Sequence, residues 1–467
     1  MKRSIFLTGR LAAAAAASIV SACAYTSPAM AQTGAPATPP ANTTMIVPNV
    51  DAHVHINSLM YAQNNFPPIL PTVQLPPEIS RLIGDLGKGW GSKSALAPLF
   101  TENSISIKSD MNNWVQGRDN VAGFWSQVFS QEFRVIPVTY RTQGSLAYLM
   151  GYIANAADKN GQPDYLGTTI LILEKENDGQ WRIANLSTRG GSPRLQRSVT
   201  AEQYLAELEA AGIQRANILS AAFVFAGSPE LQPDEAAKVR EENDWNAQQA
   251  ARYPARLTAF CSFNPLKPYA LAETESCGRD KRIKGLKFHF SDSRVDLTNP
   301  EHLQKVRAVF ELANRYRLAI TVHIRTSDSA YDPRAAATIF LNQLLPLVPE
   351  VPVQIAHMAG DAGFGAQSQA AFDVLATAIE AKDPRTRKLY FDGSGVIAVG
   401  RPQSEEDLRT VAAAMRRVGL DRILFGSDRH APNNSPPAAS WKAWLDKLPF
   451  TEAEFRDIAD NVVQYRD

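Results

Sequence analysis

From Ser198 to the end of the chain, short apolar runs alternate with longer stretches in which apolar residues recur every three or four positions. The first pattern predicts buried strands and the second amphipathic helices. Residues 201–211 have helical spacing at Tyr204, Leu205 and Leu208, and Gly212 follows as a stop. Residues 216–220, 256–263, 283–290, 318–323, 351–357, 388–392 and 421–428 read as strands. The pieces around 233–252, 303–316, 335–345, 370–381 and 406–418 read as helices between them. Upstream, Met45-Ile46-Val47 leads into one more strand at Asp51-Ala-His53-Val-His55-Ile56. Eight strands, most followed by a helix, predict an α/β fold of the (β/α)8 TIM barrel type.

Residues 76–190 break this rhythm. Helical spacing around 91–100 and 118–125 gives way to alternating β-rich runs at 133–140, 144–149 and 168–174. The last run continues through Asn177-Asp178-Gly179 into Trp181-Arg-Ile-Ala, a hairpin signal. Helices followed by antiparallel strands describe an α+β module inserted after the first barrel strand. The segments "LAPLFTENS", "W-x-x-G-R-x-x-V-x-x-F" and "LEKENDGQWRIA" resemble the small cone-shaped SnoaL-like domains. The barrel then occupies 45–75 and 191–467, with the insert at 76–190. An insert at that edge of a barrel can wall the pocket, supply a contact for a homodimer, or form a separate lobe.

The first residues carry an address. Lys2, Arg3 and Arg10 precede an Ala-rich apolar stretch, and Ala29-Met30-Ala31 offers a cleavage site, so 1–31 reads as a signal peptide. Residues 32–44, rich in Pro, Ala and Thr, read as a linker. Val20-Ser21-Ala22-Cys23 resembles a lipoprotein cleavage box, which would tether the protein to a membrane through Cys23. Either way the protein is expected to be exported, periplasmic or secreted. Cys261 and Cys277 remain as a pair, for which two buried free thiols are expected rather than a bridge. With 48 basic and 47 acidic residues the net charge is +1, which argues against nucleic-acid or anionic-membrane binding through bulk charge.

The chemistry lies at strand ends. His53 and His55, spaced i, i+2, project from one face of a strand. His323 ends the fifth strand, His357 the sixth and Asp428 the eighth. A lone strand histidine is more often a core residue than a ligand, but this end of a barrel is where the fold puts its chemistry. The H-x-H pair, "GLKFH", "AHMAG" and "ILFGSDR" resemble the amidohydrolase superfamily, in its group that includes aminocarboxymuconate-semialdehyde decarboxylase. The resemblance implies that His53, His55, His323 and Asp428 hold one divalent metal, usually zinc, with manganese and iron left open. It also implies that His357 works beside the metal as acid/base or as an additional polar contact. Imidazoles and a carboxylate suit such an ion, and zinc lowers the pKa of bound water to roughly 7.

Lys287 and His289 share a face of the fourth strand. Lys287 reads as a pocket cation or structural contact, with a metal-bridging carbamate as the minority option, and His289 as a substrate contact. Arg325 could bind a substrate carboxylate or form a rim salt bridge. Two activities follow for a small-molecule substrate. The first is a metal-dependent hydrolase of an amide, ester or lactone, with Asp428 as base. The alternative is a nonoxidative decarboxylase of an aromatic or unsaturated acid.

Overall fold

The structure, a computed structural model, describes residues 46–466 apart from 67, 69, 109–112, 129–131, 158–162, 191–196, 325–330, 361–362, 398, 400–402 and 430–434. The expected signal peptide, the linker, Cys23 and Arg325 lie outside the described residues. The chain divides into two compact units, residues 70–193 and residues 46–69 with 194–466.

The larger unit is a ring of eight parallel strands: β1 (Val50–Val54), β2 (Arg215–Leu219), β3 (Leu257–Ser262), β4 (Ile283–His289), β5 (Ala319–His323), β6 (Val353–Ile355), β7 (Leu389–Asp392) and β8 (Ile423–Leu424). Each pairs with its sequence neighbour within the unit, as βαβ connections require. The ring is brought together by β1 and the segment after β8, through Ala52 N–H to Phe425 O (2.8 Å), Asp428 N–H to His53 O (2.7 Å) and His55 N–H to Arg429 O (3.1 Å). Its strands are apolar because helices cover them from outside. Ile218, Leu286, Val322, Ile355 and Phe391 are all buried in one core that includes the helix residues Leu208, Val239, Val309 and Phe372.

Helix ends follow their local chemistry. Ala201–Ala211 begins on a capping box between Thr200 and Gln203 and ends on Gly212 at φ 73°. The strands expected at 351–357 and 421–428 are shorter than their apolar runs. His357, Met358 and Ala359 take positive φ (53°, 50° and 65°), so the backbone leaves the sheet before His357, whereas past Leu424 the chain keeps bonding to β1 and Asp428 takes φ 50°. The expectation of two free thiols is also overturned. Cys261 on β3 and Cys277 on helix Ala270–Arg279 form a disulfide, because that helix lies along the strand with the two Cα atoms 6.3 Å apart.

The smaller unit is an antiparallel-rich sheet of six strands. In spatial order they are Asn113–Gln116, Phe100–Lys108, Trp181–Gly190, Pro163–Lys175, Leu146–Ala157 and Arg134–Gln143. Helices Pro77–Lys88 and Arg118–Val128 supply apolar side chains to one sheet face, where Leu82, Leu86, Val121 and Trp125 meet Leu149, Leu171, Leu173 and Ile183. The expected hairpin is present, with Gly179 at φ 79° and its N–H bonded to Glu176 O.

Candidate metal centre

The site is built where β1 hands its backbone to the segment after β8. That pairing draws Asp428 to both histidines of the H-x-H pair. Its Oδ1 lies 3.4 Å from His53 Nε2 and 3.5 Å from His55 Nε2. The tautomers follow from what the other ring nitrogens meet. His55 Nδ1 is 2.7 Å from the carbonyl oxygen of Leu219, which can only accept, so Nδ1 carries the hydrogen. His53 Nδ1 is 3.1 Å from Asp392 Oδ2, which again demands a donor. Both Nε2 atoms therefore present lone pairs toward a carboxylate oxygen. Three acceptors facing one another repel unless a cation or proton sits among them. His53, His55 and Asp428 thus form a group whose donor atoms suit a divalent ion.

Behind the pair lies a sealed polar network. Asp392 ends β7 and is fully buried. It accepts from His53 Nδ1, from Gln354 Nε2 (2.6 Å), from the backbone N–H groups of His357 (3.1 Å) and Ser394 (3.2 Å), and from the Ser394 hydroxyl. Burial would raise its pKa, but His53, His357 and Ser394 outweigh that and hold the carboxyl well below the usual carboxylate range. His357 Nδ1 donates to Ser394 O at 2.8 Å, which leaves Nε2 as its working atom. A second network ties β1 in place. The Tyr204 hydroxyl donates to Asp51 Oδ2 at 2.6 Å and Ser427 N–H to Asp51 Oδ1 at 2.9 Å, and burial lifts the Asp51 carboxyl to about 6.

Lys287 is buried, and its Nζ is 3.0 Å from His53 Nε2. Its ammonium donates to the lone pair that an ion would use, so the two compete for that nitrogen. Burial pushes the Lys287 amine down to about 8. His323 is buried at the end of β5 beside His289 (ring centroids 4.0 Å) and His357 (4.7 Å), and it lies outside the tight His53–His55–Asp428 group. His289 stacks on Phe223 at 4.8 Å with the rings 16° from parallel, and Phe223 also meets the edge of His55. Burial lowers the pKa of His53, His55 and His323, keeping each imidazole neutral and able to ligate. Sequence reasoning passed over Gln354 and the Leu219 carbonyl as partners of the site. For Gln354, the Asp-Gly-Ser at the end of an apolar strand was the available signal.

No curated protein matches the sequence. Among solved structures, 5-carboxyvanillate decarboxylase from Sphingomonas paucimobilis is 19% identical, over 56% of this chain and 81% of that one, with a TM-score of 0.41. 2,6-Dihydroxybenzoate decarboxylase from Rhizobium is 18% identical, over 55% and 84%, with a TM-score of 0.39. 5-Carboxyvanillate decarboxylase from Novosphingobium aromaticivorans, with bound manganese, is 16% identical, over 57% and 81%, with a TM-score of 0.39. Residues 187–461, more than half of the 467, match the family described as amidohydrolase. The chain is thus a member of the amidohydrolase family.

Proposed function

We propose that the protein is a metal-dependent decarboxylase of a planar, unsaturated or aromatic acid. This reverses the order of the two activities expected from sequence. The observation that carries the reading is Lys287, a buried ammonium 3.0 Å from a nitrogen of the candidate metal group. A cation beside an ion site makes a dry pocket that favours an anionic substrate over a neutral ester or amide. The flat Phe223–His289 stack beside that group supports a planar partner.

His53, His55 and Asp428 would hold the divalent ion, with His323 as a further ligand. The neutral imidazoles favour zinc and leave manganese and iron open. Such an ion, when bound, supplies Lewis acidity that orients and polarises a substrate oxygen. Lys287 pairs with substrate charge. Arg325, outside the described residues, is proposed for a carboxylate at the rim. His289 holds the substrate's flat face. As the bond to the carboxylate carbon breaks and carbon dioxide leaves, the electron pair stays on the substrate carbon. His357, held through Nδ1 on Ser394 O, takes a proton from solvent on Nε2 and delivers that proton to the carbon in place of the lost carboxylate.

The hydrolytic reading keeps one observation in its favour: Asp428 Oδ1 stands against both Nε2 atoms, where a base for water would act. Product analysis with a panel of carboxylated aromatics, lactones, esters and amides separates the two. Carbon dioxide release without uptake of labelled oxygen from water supports decarboxylation. Labelled oxygen in the product, with no carbon dioxide, overturns it.

The smaller unit fits a SnoaL-like cone, since its helices fill one face of a sheet closed by the Asn177–Gly179 hairpin. The Cys261–Cys277 disulfide supports an oxidising compartment, in line with export. Lipidation at Cys23 would add the only membrane tether in this reading, and bulk charge offers none to nucleic acid.

A further inference from the structure

The net charge of +1 conceals an uneven distribution. Around the larger unit, the connections that run from a helix into the next strand lie at the amino end of the barrel, away from the candidate metal group. Six exposed cations in or beside them have no partner among the described residues. Arg215 opens β2, Lys281 precedes β4, Arg315 and Arg317 precede β5, and Lys382 and Arg387 precede β7. In the same connections, the carboxylates of Asp280 and Asp383 are paired to Arg282 and Arg385, which leaves Glu350 and Asp421 without a cation among the described residues. Cations are therefore in excess at this end. In the described loops at the carboxyl end of the same barrel, Arg294 is the one cation without a partner.

The helix dipole accounts for a cation in a last turn, but of the six only Arg315 stands within a helix. Arg317 and Lys382 hold left-handed backbone (φ 55° and 54°), which asparagine or glycine would adopt at less cost, so each charge stands against local preference. Arg387 also borders, with Pro346, Pro349 and Lys388, a cavity of about 350 Å³, a recess in which two cations can face a phosphate. The chain enters the barrel at this same end. Just before β1, Asn49 N–H donates to Ala459 O (2.9 Å), and Trp441 Nε1 donates to Ile46 O (2.8 Å). A lipid on Cys23, as the sequence allows, would draw this end toward a bilayer. We propose that the amino end of the barrel docks on an anionic lipid bilayer, its cations against the headgroup phosphates and its carboxyl end turned to water. Each exposed cation is attracted to such a surface within about a Debye length, roughly 10 Å at 0.1 M salt. The proposal is independent of which reaction the metal group performs.

Vesicle co-sedimentation of the exported protein tests this, with Cys23→Ala throughout so that no acyl chain contributes. Vesicles of equal parts phosphatidylglycerol and phosphatidylcholine should bind it, and phosphatidylcholine alone should not. Raising the salt to roughly 0.5 M should release it, because screening then acts within a few ångströms. Arg317→Asn, Lys382→Asn and Arg387→Gln together should weaken binding by roughly 100-fold, about fivefold for each charge, with the thermal melt unchanged. Arg387→Gln alone should weaken it about fivefold and serves if the triple variant does not fold. Arg294→Asn, at the opposite end, is the control and should bind like the wild type. On vesicles, hydrogen exchange should slow at residues 314–318 and 381–388 and stay unchanged at 222–228. Binding that needs no phosphatidylglycerol, survives the high salt or persists undiminished in a folded triple variant overturns the proposal. So does protection of 222–228 in place of the amino end. Tighter binding to a short DNA duplex than to the vesicles would assign the face to nucleic acid and overturn it equally.

Discussion

The carboxyl end of the barrel and the open face of the smaller unit's sheet break opposite rules. In the barrel, His53, Lys287, Asp392 and Ser394 are polar yet fully buried. On the sheet, Tyr148, Met150, Ile170 and Ile172 are apolar yet exposed. The first is sustained by pairing: Asp392 alone receives donors from four residues, so burial leaves no oxygen unsatisfied. The second has no such compensation within the unit. A buried polar network therefore marks chemistry inside the molecule, and a wet apolar face marks chemistry completed by something outside it.

Breaking the network should have the largest effects. Asp428→Asn should cut turnover by roughly 10²–10⁴-fold while the thermal melt barely moves, since the residue is a working carboxylate at a strand exit. Near-normal turnover would remove Asp428 from the site. Asp392→Ala should lower metal affinity by roughly 10–100-fold, measured by competition with a chelating dye, because it frees His53 to rotate. It should also lower stability, which Asp428→Asn should not.

Replacing Cys261 and Cys277 together by Ala should cost about 3 kcal/mol in urea unfolding, the loop-closure value for a bridge of this span. Next comes Glu242, a carboxyl buried against the backbone N–H and hydroxyl of Ser58, which burial pushes up to about 7. A raised carboxyl binds its proton more tightly folded than unfolded. Its contribution is complete below the usual carboxylate range and is lost as pH rises through about 7. Glu242→Gln should therefore melt like the wild type at low pH and higher than it above pH 7. The smallest effect is expected on the sheet face. Ile170→Thr, assayed in dilute solution, should stay within about 0.5 kcal/mol of the wild type. A large loss there would mean that the face is already packed within one chain.

Much of the larger unit was legible because burial on both sides of a strand leaves a plain apolar run, and helices 201–211 and 406–418 carry clear spacing. The membership of His53, His55 and Asp428 in one group was legible for the same reason, since barrel strands deliver their ends to one place. Three things were not. The strand before His357 ends early because the backbone turns left-handed there, and Ala356-His-Met-Ala359 contains no glycine to announce it. The helix Pro77–Lys88 went unread although Pro77 at its start and Ile79, Leu82, Ile83 and Leu86 at helical spacing were available. Asp392 and His53 are 339 positions apart in sequence, so only the closed ring reveals that one orients the other. The Cys261–Cys277 bridge depends likewise on how a helix lies along a strand.

The three successive left-handed residues His357, Met358 and Ala359 have one more consequence. Each such L-residue costs roughly 1–2 kcal/mol, and the surrounding contacts must offset that. A β-branched side chain at Met358 or Ala359 would add to the debt, whereas glycine would relieve it and let the imidazole drift. Laboratory evolution of this protein should therefore find few acceptable replacements along that corner, and new substrate preferences should accumulate on loops whose backbones are at rest.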